Sequence, residues 1–329
     1  MLDVKIDLRQ DYYDYIFHEV DLLGNAGFSF PKLRDDNTYE IAEYNNLIER
    51  IPFPIPRKIY KSKTFSCPER YAEGLKLLEE EIISGKSLFK HLSSTIFQSD
   101  FSDGMQFDFG IAHLHLGIKQ HSKYPQLVER TSDILYCIYT DEAFYFLTID
   151  KHNRWNDLKL LEMVQEDFPD LLQMYEIKDT HPCQPEPTEQ QRKLFRKKHI
   201  NASIQLNGKV YMSPGGGVAI NGFSTKSTFR FTRILSLLMK LEYEVKQFFA
   251  IRYVSIIKQF PEVIDLEFHF STFSKPLLMF DTRLEYKLIL DWNEKTIYPI
   301  DIGMERIKID LKRLPYLTTI SRPPQIYNF

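Results

Sequence analysis

"DILYCIYTDEAFYFLTIDKHNRW", residues 133–155, is the stretch on which the fold turns. Two apolar runs, Ile134 to Tyr139 and Ala143 to Ile149, flank Asp141-Glu142. β-Branched and aromatic residues fill both, so the segment reads as two strands joined by a turn. Just past the second run come Asp150, Lys151, His152 and Arg154, at a strand end where side chains reach solvent. Upstream, "GIAHLHLGIKQH" (110–121) alternates His113 and His115 with Leu114 and Leu116. On an extended chain both imidazoles leave one face and both leucines the other. The alternation begins near residue 104, in "MQFDFGIAHLHLGI", which predicts a further strand from there. Downstream, Leu158, Leu161, Met163, Val164 and Phe168 are spaced for an amphipathic helix packed on the sheet.

Before this region the period is helical. "YEIAEYNNLIERI" and "CPERYAEGLKLLEEEIISG" predict helices, the second closing at Gly85, and "KSLFKHLSST" predicts a short one. Between the first two, Pro52, Pro54 and Pro56 forbid helix and favour an extended surface segment over 50–63. Pro182, Pro185 and Pro187 lie among polar residues without an apolar period, so 179–191 reads as an interdomain linker. Beyond it follow a basic run at 191–199, a hairpin turning at Asn207-Gly208, a glycine-rich loop, a long helix from about Thr225 to Phe260, and strands in "DLEFHFS" and "LEYKLILDW". The expected fold class is α+β: a mainly helical segment over 1–100, a compact antiparallel sheet with a packed helix over 101–178, a linker with the basic run over 179–199, and a second, mixed α/β domain over 200–329.

A chain of 329 residues with 43% hydrophobic content can bury a sizeable core. Its 42 basic and 45 acidic side chains nearly cancel, so no global field draws it to nucleic acid or an anionic membrane, and any such contact must be local. Three cysteines, Cys67, Cys137 and Cys183, form no C-x-x-C pair, which suits a reducing, cytoplasmic compartment. The charged N-terminus and the lack of a long apolar run speak against a signal peptide or a membrane span.

The residues that carry chemistry are His113, His115 and His152, with Arg130 in the connection before the first strand of the hairpin. Imidazole serves as acid or base near neutral pH, and guanidinium holds phosphate. This inventory suits RNA cleavage that calls for neither metal nor cofactor: a base takes the 2′-OH proton, an acid protonates the leaving 5′-oxygen, and a cation holds the developing charge. Lys119, Arg154, Lys197 and Lys198 are the expected substrate-binding cations. H-x-H on a strand also presents two nitrogens at ligand spacing, with His121 a third, which keeps a metal-dependent hydrolase open; Ile118 and Lys119 stand where a cupin would place a carboxylate. A strand that merely exposes polar residues is ordinary too, leaving a non-enzymatic interaction protein as the other reading. The loop "SPGGGVAINGFSTKS" (213–227) invites a phosphate-loop reading, but Phe223 occupies the lysine position of a Walker motif, and glycines in a tight turn explain it equally.

The order "DFGIAHLHLG … R … DILYCIYTDEAFYFLTIDKHNRW" resembles the RelE/ParE-like toxins and the wider barnase–EndoU–colicin–RelE ribonucleases of toxin–antitoxin and phage-defence systems, over residues 70–178. The resemblance is one of order and residue type, without a long shared motif. It implies His113 or His115 and His152 as acid/base groups, Arg130 and Arg154 as phosphate binders, and RNA as the partner, with a regulatory antitoxin. Such toxins are small and basic; this chain is long and slightly acidic, so recognition would come partly from the second domain or from a partner such as the ribosome.

Overall fold

The hairpin forms as two strands, β4 (Asp133–Tyr139) and β5 (Ala143–Lys151), paired antiparallel with a register shift between Tyr136 and Cys137. Thr140 sets the turn: its hydroxyl oxygen accepts from the Glu142 and Ala143 amides. Arg57 braces it, donating to the Thr140 and Phe53 carbonyls and lying over the Phe144 ring. In the computed structural model, residues 3–31, 37–182 and 185–259 are described, along with the backbone of strands 265–270, 277–281, 287–291 and 296–300. Residues 301–329 and Cys183 lie outside the described residues.

On the outer side of β4 pairs β3 (Ala112–Leu114), with His113 opposite Tyr136. On the outer side of β5 lies β2 (Lys58–Lys61), giving the order β2-β5-β4-β3. The β2–β5 pair is parallel, so the sheet is mixed where an antiparallel one was expected. The proline-rich segment had concealed β2, which takes up the chain once Pro56 is passed. A second departure is α4 (Gly104–Phe109), a helix where alternation predicted a strand. The Asp103 carboxylate accepts from the Gln106 amide at its start, and Gly110 closes it at φ 72°. Met105, Phe107 and Phe109 alternate, yet all are buried, because this short helix is enclosed on more than one side.

The helix expected over the sheet is α5 (Lys159–Asp167), followed by α6 (Asp170–Gln173). Leu160, Leu161 and Val164 pack with Ile134, Tyr136 and Leu147 in one core, and Ile204, Leu206 and Tyr211 join the same cluster. These last belong to the hairpin of β6 (Ile204–Leu206) and β7 (Lys209–Tyr211), which turns at Asn207-Gly208 with both residues at positive φ. Residues 179–199, read as a linker, therefore lie inside this unit, and part of them is helical: α7 (Glu189–Lys197) starts with a capping box between Thr188 and Gln191.

The described residues divide into two compact units, one within 23–229, the other formed by those up to 22 and those from 230 on. The first contains α2 (Asn37–Glu49) and α3 (Ala72–Ser84), which ends on Gly85 as expected. In the second, β1 (Asp3–Ile6) pairs parallel with β8 (Asp265–Phe270), and β9 (Leu277–Asp281), β10 (Lys287–Asp291) and β11 (Thr296–Ile300) continue antiparallel. Of these, β1, β9 and β11 were not anticipated. The boundaries at 22/23 and 229/230 fall within α1 (Leu8–Asn25) and α8 (Thr225–Gln259). No helix among the described residues is long and apolar enough to cross a membrane.

The glycine loop is a packing device. Gly215 N–H donates to the Asp108 carbonyl and Gly217 N–H to that of Phe107, while Lys226 Nζ donates to the Pro214 carbonyl. A Cβ at Gly215 would stand 2.2 Å from the Gln106 and Phe107 carbonyl oxygens, which lie in α4. Gly215→Ala is therefore expected to cost about 1–3 kcal/mol by overpacking. Gly24→Ala, on a helix position with nothing within 4 Å, should instead gain up to about 1 kcal/mol. Denaturant unfolding of the two variants checks both; an unperturbed Gly215 variant would refute the latch. Proteolysis across 179–187 should leave the pieces associated under native conditions, since Ile204, Leu206 and Tyr211 are buried in the common core. Fragments that separate on native gel filtration would contradict this.

Candidate active site

His113 leaves β3 at the sheet edge, His115 follows one step after the strand, and His152 sits directly past the end of β5. The period-2 placement brings their rings together: centroids are 6.2 Å apart for His113 and His115, 6.3 Å for His113 and His152, and 5.2 Å for His115 and His152. Trp155 closes the group, its ring 5.1 Å from that of His113 and 6.0 Å from that of His152.

The three imidazoles differ in exposure and partners. His152 Nε2 lies 3.2 Å from the Thr131 carbonyl; a carbonyl only accepts, so Nε2 carries the hydrogen and, in the neutral ring, Nδ1 keeps its lone pair. His113 is half-buried and lines an open cavity of about 380 Å³ together with His152, Arg130, Asp103, Trp155 and Lys193. His115 lies behind them at 1% exposure, and neither of its nitrogens has a hydrogen-bond partner among the described residues. Burial lowers the pKa of all three. For His113 the Asp103 carboxylate opposes this while His152 and Arg130 add to it; for His115, His113, His152 and Arg130 push further, to about 3. His152 is lowered by burial against the opposing Thr131 hydrogen bond. The cluster is thus neutral at pH 7, next to a cation.

That cation, Arg130, is exposed and makes no hydrogen bond or ion pair with a described residue; the same is true of Lys193 on α7. Their neighbours are committed. Arg196, one helical step from Lys193, is paired with Asp108 at 2.8 Å, donates to the Trp155 carbonyl and Asn156 Oδ1, and lies over the Phe109 ring. Arg154 bonds Asp157 at 2.7 Å and Asp150 at 3.1 Å, so it staples its own loop and is not the open phosphate binder the sequence suggested. Lys119, Lys197 and Lys198 are exposed and line none of the cavities around the histidines. His121 caps a turn, Nδ1 accepting from the Lys123 and Tyr124 amides, and its ring lies against Tyr124. No group of three or more His, Cys, Asp or Glu among the described residues is arranged to hold a metal ion.

The H-x-H segment is fixed from behind by His91, which sequence reasoning missed. The His115 amide donates to the His91 carbonyl at 2.8 Å, and His91 Nδ1 donates to the His115 carbonyl at 2.7 Å. His91 Nε2 faces Glu81 Oε2 at 3.1 Å, so one proton bridges imidazole and carboxyl, and Lys90 holds the other carboxylate oxygen. Burial raises the Glu81 carboxyl, but its bonds to His91 and Lys90 outweigh this and hold it below the usual carboxylate range. Trp155 and Asp103 were missed as well, and Lys193 and Arg196 were read only as members of the basic run. The signals available were a rare tryptophan three residues past His152 and the i, i+3 spacing of Lys193 and Arg196, which puts both on one helix face.

The chain matches no protein-family model, and neither a curated protein nor a solved structure is significantly similar to it.

Because the folded His115 has a pKa near 3 against about 6.5 when unfolded, its stabilising contribution is full above pH 6.5 and is lost as pH falls toward 3. His115→Leu should make the decline of unfolding free energy with acidification shallower in this window, by up to about 1.4 kcal/mol per pH unit. Denaturant titrations at several pH values measure it; identical slopes would show that His115 does not resist protonation.

Proposed function

We propose that the cavity is the active site of a metal-independent endoribonuclease of toxin or phage-defence type. The observation that carries the reading is the placement of two solvent-accessible, neutral imidazoles, His113 and His152, beside the unpaired Arg130. His152 takes the 2′-OH proton on Nδ1, since Nε2–H is engaged with the Thr131 carbonyl. The 2′-oxygen attacks phosphorus, and the P–O5′ bond breaks. His113, protonated from solvent once the phosphate is bound, gives that proton to the leaving 5′-oxygen and returns to the neutral ring, with Asp103 favouring its cation. The products are a 2′,3′-cyclic phosphate and a 5′-hydroxyl. Arg130 and Lys193 hold the phosphate oxygens as charge builds on them. A bound phosphate also offsets the field of Arg130 and so raises the imidazole pKa values toward the range an acid needs.

In this reading His115 supports the pair from behind and does not touch substrate. RNA is the partner, a regulatory protein that covers the cleft would serve as antitoxin, and the free thiols of Cys67 and Cys137 suit a cytoplasmic setting.

Purified protein should cut single-stranded RNA in EDTA. His113→Ala, His152→Ala and Arg130→Ala should each lower the rate about 10²–10⁴-fold with an unchanged melting temperature. Cleavage that appears only with added zinc or manganese would replace this reading with the metal-hydrolase one. RNA left intact under every condition, with the cellular effect of the protein kept in the His113/His152 double variant, would favour an interaction protein.

A further inference from the structure

The 380 Å³ cavity has a neighbour. A second hollow of about 710 Å³ is lined by Arg70, Ser132, Lys151, Asn153 and Glu189, and the two share one wall: His152, Trp155, Asn156 and Lys193 border both. Each is of the size that holds one small ligand. The cleavage chemistry uses the side with His113 and Arg130, which leaves the larger hollow unexplained.

We propose that the two hollows are consecutive nucleotide subsites of one groove, divided by Trp155, and that the substrate is accordingly a single strand of at least two nucleotides. The proposal rests on the cleavage reading of this site for the position of the scissile phosphate. Trp155 is held firmly enough to act as a stacking wall. Its carbonyl accepts from Arg196, and its ring meets those of His113, His152 and Tyr136, the last at 6.3 Å. A base placed against a fixed indole gains stacking energy whatever its identity. Lys193 borders both hollows and Lys151 the outer one, and neither makes an ion pair with a described residue, so two lysines are available to successive phosphates. Arg70 is already paired with Asp133. Asn153 and Asn156 carry amides that donate and accept, the groups that read a base edge. Glu189, one turn before Lys193 on α7, also borders the larger hollow and repels phosphate there, which leaves its side to a base. Bases that must part around an indole cannot stay stacked in a helix, so a duplex does not fit.

The chain has two tryptophans, and Trp292→Phe leaves Trp155 as the sole indole reporter. The full-length Trp292→Phe protein is titrated with 2′-O-methyl adenosine oligomers of one, two and three nucleotides, each with a 3′-phosphate, which cannot be cleaved. Quenching of Trp155 should show affinity rising about tenfold or more from one nucleotide to two. Lys151→Ala should remove most of that step. Trp155→Phe, checked for an unchanged melting temperature, should weaken binding of the labelled trinucleotide by about tenfold in anisotropy. Equal affinity for one and three nucleotides, a step that survives Lys151→Ala, or a duplex that competes as well as a single strand would each overturn the proposal. Unmodified RNA is assayed in parallel. Cleavage without the length step overturns the groove and leaves the nuclease reading standing; the length step without cleavage does the reverse.

Discussion

The two-way bond between His91 and His115 is the constraint on which the site depends. Strand β3 is three residues long and sits at the sheet edge, so its pairing with β4 alone gives its outgoing end little hold. His91 supplies the missing support through backbone and side chain at once, and the Glu81 carboxylate fixes the imidazole that does so. Gly74 on α3 lets the helix approach so closely that a Cβ there would meet the Leu116 carbonyl oxygen at 1.9 Å. The segment carrying His113 and His115 is thus gripped from α3 and from the 89–91 turn, and its two rings are presented to His152 without depending on a long strand.

The electrostatics of the cleft follow from which cations are occupied. Arg154, Arg196 and Arg70 are each bound to carboxylates and serve as staples of loop, helix and strand. Arg130 and Lys193 are left to face the cavity. Desolvation keeps the three imidazoles neutral, Arg130 adds to it, and the open cations favour an anion that enters beside them. His115 makes the point most plainly, because a buried ring with both nitrogens unbonded is a cost to folding. Protonating it would add a further one.

The β4–β5 hairpin was legible because β-branched and aromatic residues fill two runs of the right length around a turn, and the meeting of His113, His115 and His152 was legible from period-2 spacing and a strand end. The helix over 104–109 was not. Alternating Met105, Phe107 and Phe109 imitate a strand, and only the Asp103 cap and Gly110 stop betray the helix. Nor could the sequence place Lys193 ahead of Lys197 and Lys198. That choice depends on how α7 is rotated, which is set by an ion pair between Arg196 and Asp108, 88 positions apart, and by the burial of Arg192. Arg154 looked available because its two carboxylate partners, Asp150 and Asp157, read as scattered surface charge until the loop closed on itself. The parallel pairing of β2 was hidden by prolines that end just before the strand begins.

On the nuclease proposal, His152 rests as a neutral base with Nδ1 open beside Arg130. Nitrogen-15 NMR of the histidine side chains in the full-length protein, with His152→Gln to assign the signal, tests it directly. The Nε2–H tautomer is expected for His152 at pH 7, with its titration midpoint moving upward when a non-cleavable dinucleotide is added. A resting Nδ1–H tautomer, or a midpoint indifferent to the dinucleotide, would contradict it.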